Sequence, residues 1–219
     1  MTRVLLTGGA GFIGSHYVLR HVRQHPTDKV VVIDALTYAA DKSLLDPVMD
    51  RISFVEGDIA NLPLLEAIVE QHHIDTIVNF AAETHVDRSI QNAVPFLHSN
   101  VLGVQSLIEL CKKHPKILLV HISTDEVYGD LTDVDPSFTL ASPLRPSSPY
   151  AATKASGDLL LLAAARTFGA RKTGGYCDSL CRHRADRRAD DEDAAREARH
   201  SALLFGRSDR GFAAFNAAR

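Results

Sequence analysis

The first 122 residues contain five short apolar runs that alternate with helix-like segments, and this alternation is the strongest constraint on the fold. Each run is almost continuously apolar and rich in β-branched residues, which is typical of parallel strands buried on both faces. The predicted strands are 4–6, 30–33, 52–55, 76–80 and 117–122, and the predicted helices are 12–23, 62–71 and 95–113. This pattern predicts an α/β fold with a doubly wound parallel sheet and right-handed crossovers.

The character of the chain changes near residue 169. Before that point, a polar, proline-containing loop over 131–149 leads into a helix predicted for 150–168. After it, an Arg/Asp/Ala-rich stretch covers 182–199, and the sixth strand that the sheet would use next is not evident. Such a composition buries too little apolar surface to offset the entropy of ordering the chain. We therefore divide the chain into a domain over 1–168 and an atypical tail over 169–219 that we expect to be weakly ordered.

Composition and charge narrow the class of protein. The chain has 219 residues, of which 45% are hydrophobic, and a net charge of −3, which favours neither a nucleic-acid partner nor a membrane surface. No signal peptide and no apolar run of membrane-spanning length is evident. Three cysteines, Cys111, Cys177 and Cys181, fit a reducing compartment better than a disulfide framework. A cytoplasmic protein is the expectation.

A glycine motif lies directly between the first predicted strand and the first predicted helix. Gly8, Gly11 and Gly14 follow the spacing GxxGxxG, which permits a tight turn and close approach of the backbone to a pyrophosphate at the helix N-terminus. The motif alone is equally consistent with a simple strand-to-helix turn. Asp34, at the end of the second strand, adds a carboxylate that can accept both ribose hydroxyls and would repel a 2′-phosphate. The combination predicts an NAD site, with Asp58 and Ile59 placed to meet the adenine edge.

A second cluster of polar residues follows the fifth strand. Thr124 can hydrogen-bond an alcohol oxygen, and the adjacent carboxylates of Asp125 and Glu126 can serve two points on one substrate, one as acid and one as base. Tyr150 and Lys154 share one face of the next helix, where an ammonium group would stabilise a tyrosinate that acts as a base. Had either motif occurred by itself, the alternative would be a solvated acidic turn for Asp125 and Glu126, and two surface residues for Tyr150 and Lys154.

The 11 histidines invite a metal hypothesis, which the spacing does not favour. His72 and His73 are adjacent rather than spaced for one metal ion, and Cys177, Cys181 and His183 lack a fourth ligand. We predict no metal site. His85 and Arg88 precede the second cluster and could support it, although a structural role is at least as consistent with their positions.

Four motifs together resemble one known family. The opening TGGAGFIGS, the segment AAETHVDRS at 81–89, STDEVYG and the YxxxK pair resemble the extended short-chain dehydrogenase/reductases, which have a Rossmann-type sheet. Within them, the match is to the dTDP-glucose 4,6-dehydratases and covers roughly residues 1–168. Sugar epimerases of the same superfamily are similar at the glycine motif and YxxxK but usually lack the Asp-Glu pair.

The resemblance implies a lyase of nucleotide-sugar metabolism that uses NAD catalytically. Tyr150, helped by Thr124 and Lys154, would take the 4-hydroxyl proton as hydride leaves C4. Glu126 would remove the C5 proton while Asp125 protonates the departing 6-hydroxyl, and hydride would return to C6. Thr84 and Thr124 would contact the substrate. The cofactor would be lined by Phe12, Ile13, Asp34, Asp58, Ile59, Phe80, Ala81, Ala82, Glu83, Ser99, Tyr150 and Lys154, together with the motif glycines.

The same resemblance identifies what is different in this chain. The family's C-terminal lobe, which holds the nucleotide portion of the substrate, has no counterpart after residue 168, as a frameshift or truncation near Gly169 would produce. Without the next strand, the fifth strand is expected to be an exposed apolar edge. The alternatives are therefore an inactive NAD-binding remnant or a related nucleotide-sugar epimerase or dehydratase. A homodimer through helices 95–113 and 150–168 is also implied.

Overall fold

The computed structural model describes residues 1–132, 135–139, 142–168, 178–180 and 202–205. The strands are β1 (Arg3–Thr7), β2 (Lys29–Asp34), β3 (Ile52–Glu56), β4 (Thr76–Asn79), β5 (Leu118–Ile122), β6 (Asp178–Leu180) and β7 (Ala202–Phe205). The α-helices are α1 (Phe12–Gln24), α2 (Leu62–His72), α3 (Val86–Gln91), α4 (Val94–Leu97), α5 (Val104–Lys113) and α6 (Pro149–Phe168). Two 3₁₀ helices, Lys42–Val48 and Asp125–Tyr128, and a π-helix, His98–Gly103, complete these elements.

The sheet has the order β3-β2-β1-β4-β5-β7-β6, and its first five strands are parallel. In register, Val4 of β1 lies between Val30 of β2 and Thr76 of β4. This confirms the predicted doubly wound sheet. Because the strand order reverses between β1 and β4, a crevice opens beyond their carboxyl ends, which is where ligands bind in folds of this kind.

The two faces of the sheet are buried against different helices. Alternate residues of each strand enter opposite clusters, so that Leu5 packs on the α2, α5 and α6 side while Val4 and Leu6 pack on the α1 side. Both clusters consist of fully buried aliphatic side chains. Burial on both faces explains why the strand sequences lack a polar alternation. None of the helices in the described parts of the chain is long and apolar enough to cross a membrane.

The helix predicted over 95–113 is wrong in one respect, because the structure divides it into α4, the π-helix and α5. Here the chain accommodates close contact with α6, since a Cβ atom on Gly157 would lie 2.8 Å from the main-chain oxygen of Asn100. Wider turns of this type are frequent at functional sites.

The expectation of an exposed edge at β5 is also wrong. β7 pairs antiparallel with β5, with Leu204 opposite Val120, and β6 pairs antiparallel with β7. Apart from these two short strands, the tail over 169–219 lies outside the described residues, and its weak order stays a prediction.

Candidate active site

The glycine motif forms a turn in which the glycines at 8 and 14 have no room for side chains. Gly8 has a φ of +66°, and a Cβ atom there would lie 2.5 Å from the main-chain nitrogen of Ala81, beyond β4. A Cβ atom on Gly14 would collide with the main-chain oxygen of Gly8. The turn therefore brings the ends of β1 and β4 and the first turn of α1 into direct backbone contact.

The N-terminus of α1 opens onto this turn. Its N-cap residue, Gly11, offers no side-chain acceptor, and the first turn carries no acidic residue. The first N–H groups of a helix have no partner within the helix, and the helix dipole adds partial positive charge there. Phe12 and Ile13 are 63% and 39% exposed, so this turn is accessible from solvent. An anionic group can be bound here through main-chain N–H groups.

Asp34 connects the two loops that border the turn. Its carboxylate is buried at the end of β2, where Oδ2 accepts a hydrogen bond from Ala10 N at 2.9 Å and Oδ1 accepts one from Leu36 N at 2.9 Å. A carboxylate has about four lone-pair sites, so acceptor capacity remains for hydroxyl groups of a ligand. Asp34 lies where the sequence placed it.

Asp58 and Ile59 have different environments. Asp58 Oδ1 accepts from Ala60 N at 2.8 Å, and its Oδ2 lies 2.8 Å from His98 Nε2 on the π-helix. Ile59 is 4% exposed and belongs to the core, packed where a Cβ atom on Gly103 would meet it. Because its side chain is buried in the core, Ile59 could contact a ligand only through main-chain atoms. The contact of His98 with Asp58 was not predictable, because a lone histidine on an exposed helix carries no sequence signal.

The segment after β4 is held by one buried amide that the sequence reading missed. Asn100 Oδ1 accepts from Glu83 N at 2.9 Å, and Asn100 Nδ2 donates to Glu83 O and to Thr153 Oγ1, each at 3.0 Å. The main chain of Phe80 and Ala81 passes close to Gly8. The Phe80 ring itself packs against Tyr17, with ring centroids 5.0 Å apart. Ser99, also on the π-helix, is half-buried.

Tyr150 is the residue on which the second cluster converges. Its side chain is buried at the start of α6, and its main-chain nitrogen donates to Ser89 Oγ at 3.0 Å. Burial and the nearby Glu126 raise the pKa of Tyr150 to about 12, while hydrogen bonding with the Thr84 and Thr124 hydroxyls opposes this rise and Asp125 adds slightly to it. The hydroxyls of Thr84 and Thr124 and the carboxylates of Asp125 and Glu126 thus all act on this one phenol. The roles that the sequence analysis gave these residues stay predictions, and Thr84 entered only through the resemblance.

The 3₁₀ helix 125–128 carries the two carboxylates. Thr124 caps it, with Oγ1 accepting from Glu126 N at 3.3 Å and donating to Asp125 Oδ1 at 3.4 Å. Thr124 is itself buried, at 2% exposure, so its hydroxyl is held in a fixed position at the end of β5. Adjacent carboxylates on a single tight turn point in different directions, which suits them to act on two atoms of one ligand.

Lys154 lies one turn after Tyr150 on α6 and is 4% exposed. Its Nζ donates to Ile122 O at 2.6 Å. Burial lowers the pKa of Lys154 to about 8, an effect that Asp158 partly opposes. The structure therefore anchors the lysine on β5, and the electrostatic influence on the phenol comes first from the carboxylates and the threonine hydroxyls.

Tyr38 and Arg88 form the outer border of the cluster. Tyr38 OH donates to Thr84 O at 2.8 Å, and the Arg88 guanidinium lies 3.5 Å from the Tyr38 ring centroid. His85 has a φ of +74°, an unusual conformation for a residue with a side chain, and its ring lies 5.9 Å from that of Tyr38. Arg88 and His85 therefore support the loop that carries Thr84.

No group of three or more His, Cys, Asp or Glu side chains in the described ranges is arranged to hold a metal ion. Cys177, Cys181 and His183 lie outside those ranges.

Comparison with known proteins adds independent findings. Residues 4–195 match the model of the NAD dependent epimerase/dehydratase family. The chain is similar to a dTDP-glucose 4,6-dehydratase of Mycobacterium tuberculosis, with 48% identity over 178 residues that cover 81% of this chain and 53% of the relative. A dTDP-glucose 4,6-dehydratase of Haemophilus influenzae is 44% identical over 180 residues, 77% of this chain and 53% of that one. The chain thus spans about half the length of the curated relatives it matches.

Solved structures of dehydratases and epimerases are also similar to this chain. A dTDP-glucose 4,6-dehydratase from Streptomyces venezuelae, crystallised with NAD and TYD bound, has a TM-score of 0.70 and 47% identity, covering 77% of this chain and 53% of that one. A UDP-glucose 4-epimerase from Thermus thermophilus, in complex with NAD, has a TM-score of 0.68 and 28% identity, covering 77% and 52%.

Proposed function

Because this chain belongs to the NAD dependent epimerase/dehydratase family, we propose that it is a nucleotide-sugar 4,6-dehydratase, converting dTDP-glucose to dTDP-4-keto-6-deoxyglucose. The observation that carries the proposal is the convergence of the Thr84 and Thr124 hydroxyls and the Asp125 and Glu126 carboxylates on Tyr150. The relatives at 44–48% identity bear this name, which supports the choice of substrate.

The residues around the glycine turn fit NAD. Main-chain N–H groups at the uncapped start of α1 suit the pyrophosphate, and Asp34 retains lone pairs for the ribose hydroxyls while repelling a 2′-phosphate. The other residues assigned to the cofactor are Gly8, Gly11, Gly14, Phe12, Ile13, Asp58, Ile59, Phe80, Ala81, Ala82, Glu83, Ser99, Tyr150 and Lys154. When bound, NAD supplies a reversible acceptor for hydride.

Tyr150 takes the proton from the 4-hydroxyl of the sugar as C4 is oxidised. At a pKa of about 12, the phenol is a weak acid in this site, so its ionised form depends on donors that favour a phenolate. The Thr84 hydroxyl supplies such a donor, and the Thr124 hydroxyl supplies a second one when its proton turns from Asp125 Oδ1 to the phenolate. The ammonium group of Lys154 lies one turn further along the same helix face. We assign both threonines to substrate contact.

The two carboxylates complete the reaction. Oxidation at C4 makes the C5 proton acidic; Glu126 removes that proton, and Asp125 protonates the 6-hydroxyl, which leaves as water. The resulting double bond is reduced when hydride returns to C6 and a proton to C5. A sugar epimerase needs no such acid and base after the threonine, so the pair favours a dehydratase over the epimerase alternative.

A second candidate function is NAD binding without turnover. It is favoured by one fact: the chain matches only about half the length of the dTDP-glucose 4,6-dehydratases it resembles, 53% in the case of the Mycobacterium protein. Binding energy from the nucleotide part of a substrate normally supports rate at the reacting carbons. We retain the division into a NAD-binding domain over 1–168 and a separate tail over 169–219 as part of this proposal.

We also propose that the chain forms a homodimer. Large apolar side chains are exposed along α3, α4, the π-helix and α6, and apolar side chains that gather on one side of a protein mark interaction surfaces. These side chains are Ile90, Val94, Leu97, Leu102, Leu159 and Phe168.

The test is to incubate the purified chain with NAD and dTDP-glucose and to follow loss of one water from the sugar by mass spectrometry. Glu126→Gln is expected to lower turnover and the exchange of the C5 proton with solvent by about 10²–10⁴-fold, the usual contribution of a general base. Glu70→Gln, an exposed position on α2, is the matched control and should retain wild-type rates. No product from a chain whose melting temperature still rises with NAD would support the second candidate instead.

A further inference from the structure

A buried carboxylate with no task in the proposed reaction lies on the same helix face as the reacting groups. Tyr150, Lys154 and Asp158 follow one another at intervals of four residues on α6 and are 5%, 4% and 5% exposed. A buried carboxylate is costly unless it is hydrogen-bonded and balanced by positive charge. Asp158 therefore calls for an explanation in terms of its neighbours.

The end of β5 anchors the lysine and the aspartate through adjacent residues. Ile122 O accepts from Lys154 Nζ at 2.6 Å, and Ser123 Oγ donates to Asp158 Oδ2 at 2.5 Å. The carbonyl satisfies one donor of the ammonium group but leaves its charge uncompensated. The neighbouring hydroxyl holds the carboxylate in its ionised form, since a hydrogen bond to the charged form favours it.

A directed series of hydrogen bonds ends on the other carboxylate oxygen. The Thr7 hydroxyl donates to Asn79 Oδ1, and Asn79 Nδ2 donates to His121 Nδ1 at 2.8 Å. With the amide in this orientation, Nδ1 is the acceptor and the ring proton is on Nε2. That Nε2 lies 3.7 Å from Asp158 Oδ1, and neither atom has a hydrogen-bond partner among the described residues. The arrangement suits a neutral His121 facing an ionised Asp158.

The charges of this group balance at neutral pH. Burial raises the pKa of Asp158 to about 6, although Lys154 and Ser123 oppose the rise, so the carboxyl group is ionised at pH 7. Burial lowers the pKa of Lys154 to about 8, which leaves it largely protonated. Burial and the Lys154 charge hold the pKa of His121 well below its usual range.

We propose that Asp158 is a positioning residue and the buried counter-ion that keeps Lys154 an ammonium group, one helical turn from Tyr150. The role rests on the proposed function for its catalytic consequence, but the electrostatic pairing is a property of the folded chain. Asp158 acts on Lys154 through its charge, without a hydrogen bond between the two side chains, and it reaches Tyr150 only through Lys154.

Other elements packed against α6 provide no competing counter-ion among the described residues. The charged and titratable groups of these elements have other partners, are neutral or lie exposed to solvent. His98 contacts Asp58, Lys112 pairs with Glu109, Lys113 pairs with Glu66, and Arg88 stacks on Tyr38. Asp87 lies exposed on α3, the Cys111 thiol on α5 has a pKa raised to about 12 by burial, and Asp125 and Glu126 act on Tyr150.

The test measures the titration of Lys154 directly. In protein made with isotope-labelled lysine, the Lys154 side-chain NMR signal, identified by its loss in Lys154→Arg, should titrate near pH 8. In Asp158→Asn, we expect the titration to move about 1–2 units lower, because a nearby opposite charge favours the ionised form by about this amount. The alkaline limb of turnover against pH should move in the same direction by the same amount.

Ser123→Ala keeps the Asp158 charge but removes its hydrogen bond, and it provides a second variant in case Asp158→Asn fails to fold. It should give a smaller shift of the same sign. Ser156→Ala, on the exposed face of α6, is the matched control and should leave the titration unchanged. A wild-type Lys154 titration in both Asp158→Asn and Ser123→Ala would overturn the inference.

The titration needs no substrate, so it separates this inference from the proposed function. A chain that forms no product but shows the Lys154 shift supports the counter-ion role while the proposed function fails. Product formation without any shift of the Lys154 titration in the variants would support the proposed function and contradict the counter-ion role of Asp158.

Discussion

At the scale of single residues, Asp34 has two tasks at the end of β2. It accepts from the main-chain nitrogens of Ala10 and Leu36, and in the proposed function it also binds the ribose of NAD. We expect Asp34→Ala to weaken NAD binding by at least about 10-fold, because one hydrogen bond to a charged group is worth about 1.5–3 kcal/mol. Isothermal titration calorimetry with NAD measures this directly.

Two further variants separate the tasks. Asp34→Asn keeps an acceptor for one loop nitrogen and should retain more of the fold than of the NAD affinity. Asp50→Ala, an exposed aspartate in the turn before β3, should bind NAD as the wild type does. If Asp34→Ala bound NAD with unchanged affinity, the assignment of the ribose to Asp34 would be wrong.

Single residues also differ in whether their position in the structure can be predicted from the sequence. The position of Asp34 was predictable because it depends on the spacing from a glycine motif and on the end of a strand. The roles of Asn100, His121 and Asp158 were not predictable, because the sequence does not distinguish a buried polar residue from an exposed one. Their importance comes from partners far along the chain, such as Thr153 for Asn100 and Ser123 for Asp158.

At the scale of secondary structure, the contact between α6 and the π-helix depends on Gly157. A Cβ atom there would lie 2.8 Å from Asn100 O, and a main-chain oxygen cannot rotate away as a side chain can. We expect Gly157→Ala to lower the free energy of unfolding by about 1 kcal/mol, since strain of about 1–3 kcal/mol exceeds the gain in helix propensity. Urea unfolding followed by circular dichroism is the measurement.

The neighbouring Ser156→Ala provides the comparison, because it changes helix propensity on the exposed face of α6 without a clash. It should leave stability unchanged or slightly raised. Equal stabilities for the two variants would mean that α6 moves away from Asn100 at no cost.

The division of the predicted helix 95–113 shows that apolar periodicity does not predict where a helix is interrupted. Its apolar spacing is helical throughout, and α5 keeps it, so nothing local signals the wider turn at His98–Gly103. That turn lies against α6, which follows much later in the chain. Strands β1 to β5 were predictable because burial on both faces leaves an apolar run wherever they occur.

At the scale of the whole molecule, the doubly wound parallel sheet follows from the alternation of strands and helices, whereas the pairing of β7 with β5 does not. β7 is four residues long and follows the Arg/Asp/Ala-rich stretch 182–199, and its short apolar sequence does not identify a partner strand. Its antiparallel pairing is a long-range event that a local pattern does not encode.

The exposed apolar side chains of α3, α4, the π-helix and α6 form the surface through which we expect two copies to pair. Leu102 and Leu159 are 57% and 54% exposed, on two helices that face the same side of the sheet. If two copies pair through this surface, a charged residue at each position places uncompensated charge in the interface, which is strongly unfavourable. We expect wild-type protein to sediment as a dimer and the double variant Leu102→Glu/Leu159→Glu to sediment as a monomer.

The control is Leu44→Glu, which adds the same charge at a 38% exposed leucine on the 3₁₀ helix that packs on the opposite face of the sheet. It should leave the dimer intact. Analytical ultracentrifugation over a range of protein concentrations distinguishes the variants, and NAD-dependent thermal stabilisation checks that each remains folded. A wild-type chain that stays monomeric at all concentrations would contradict the dimer, and it would leave the apolar surface to a different partner, because an exposed area of this kind is otherwise an aggregation hazard.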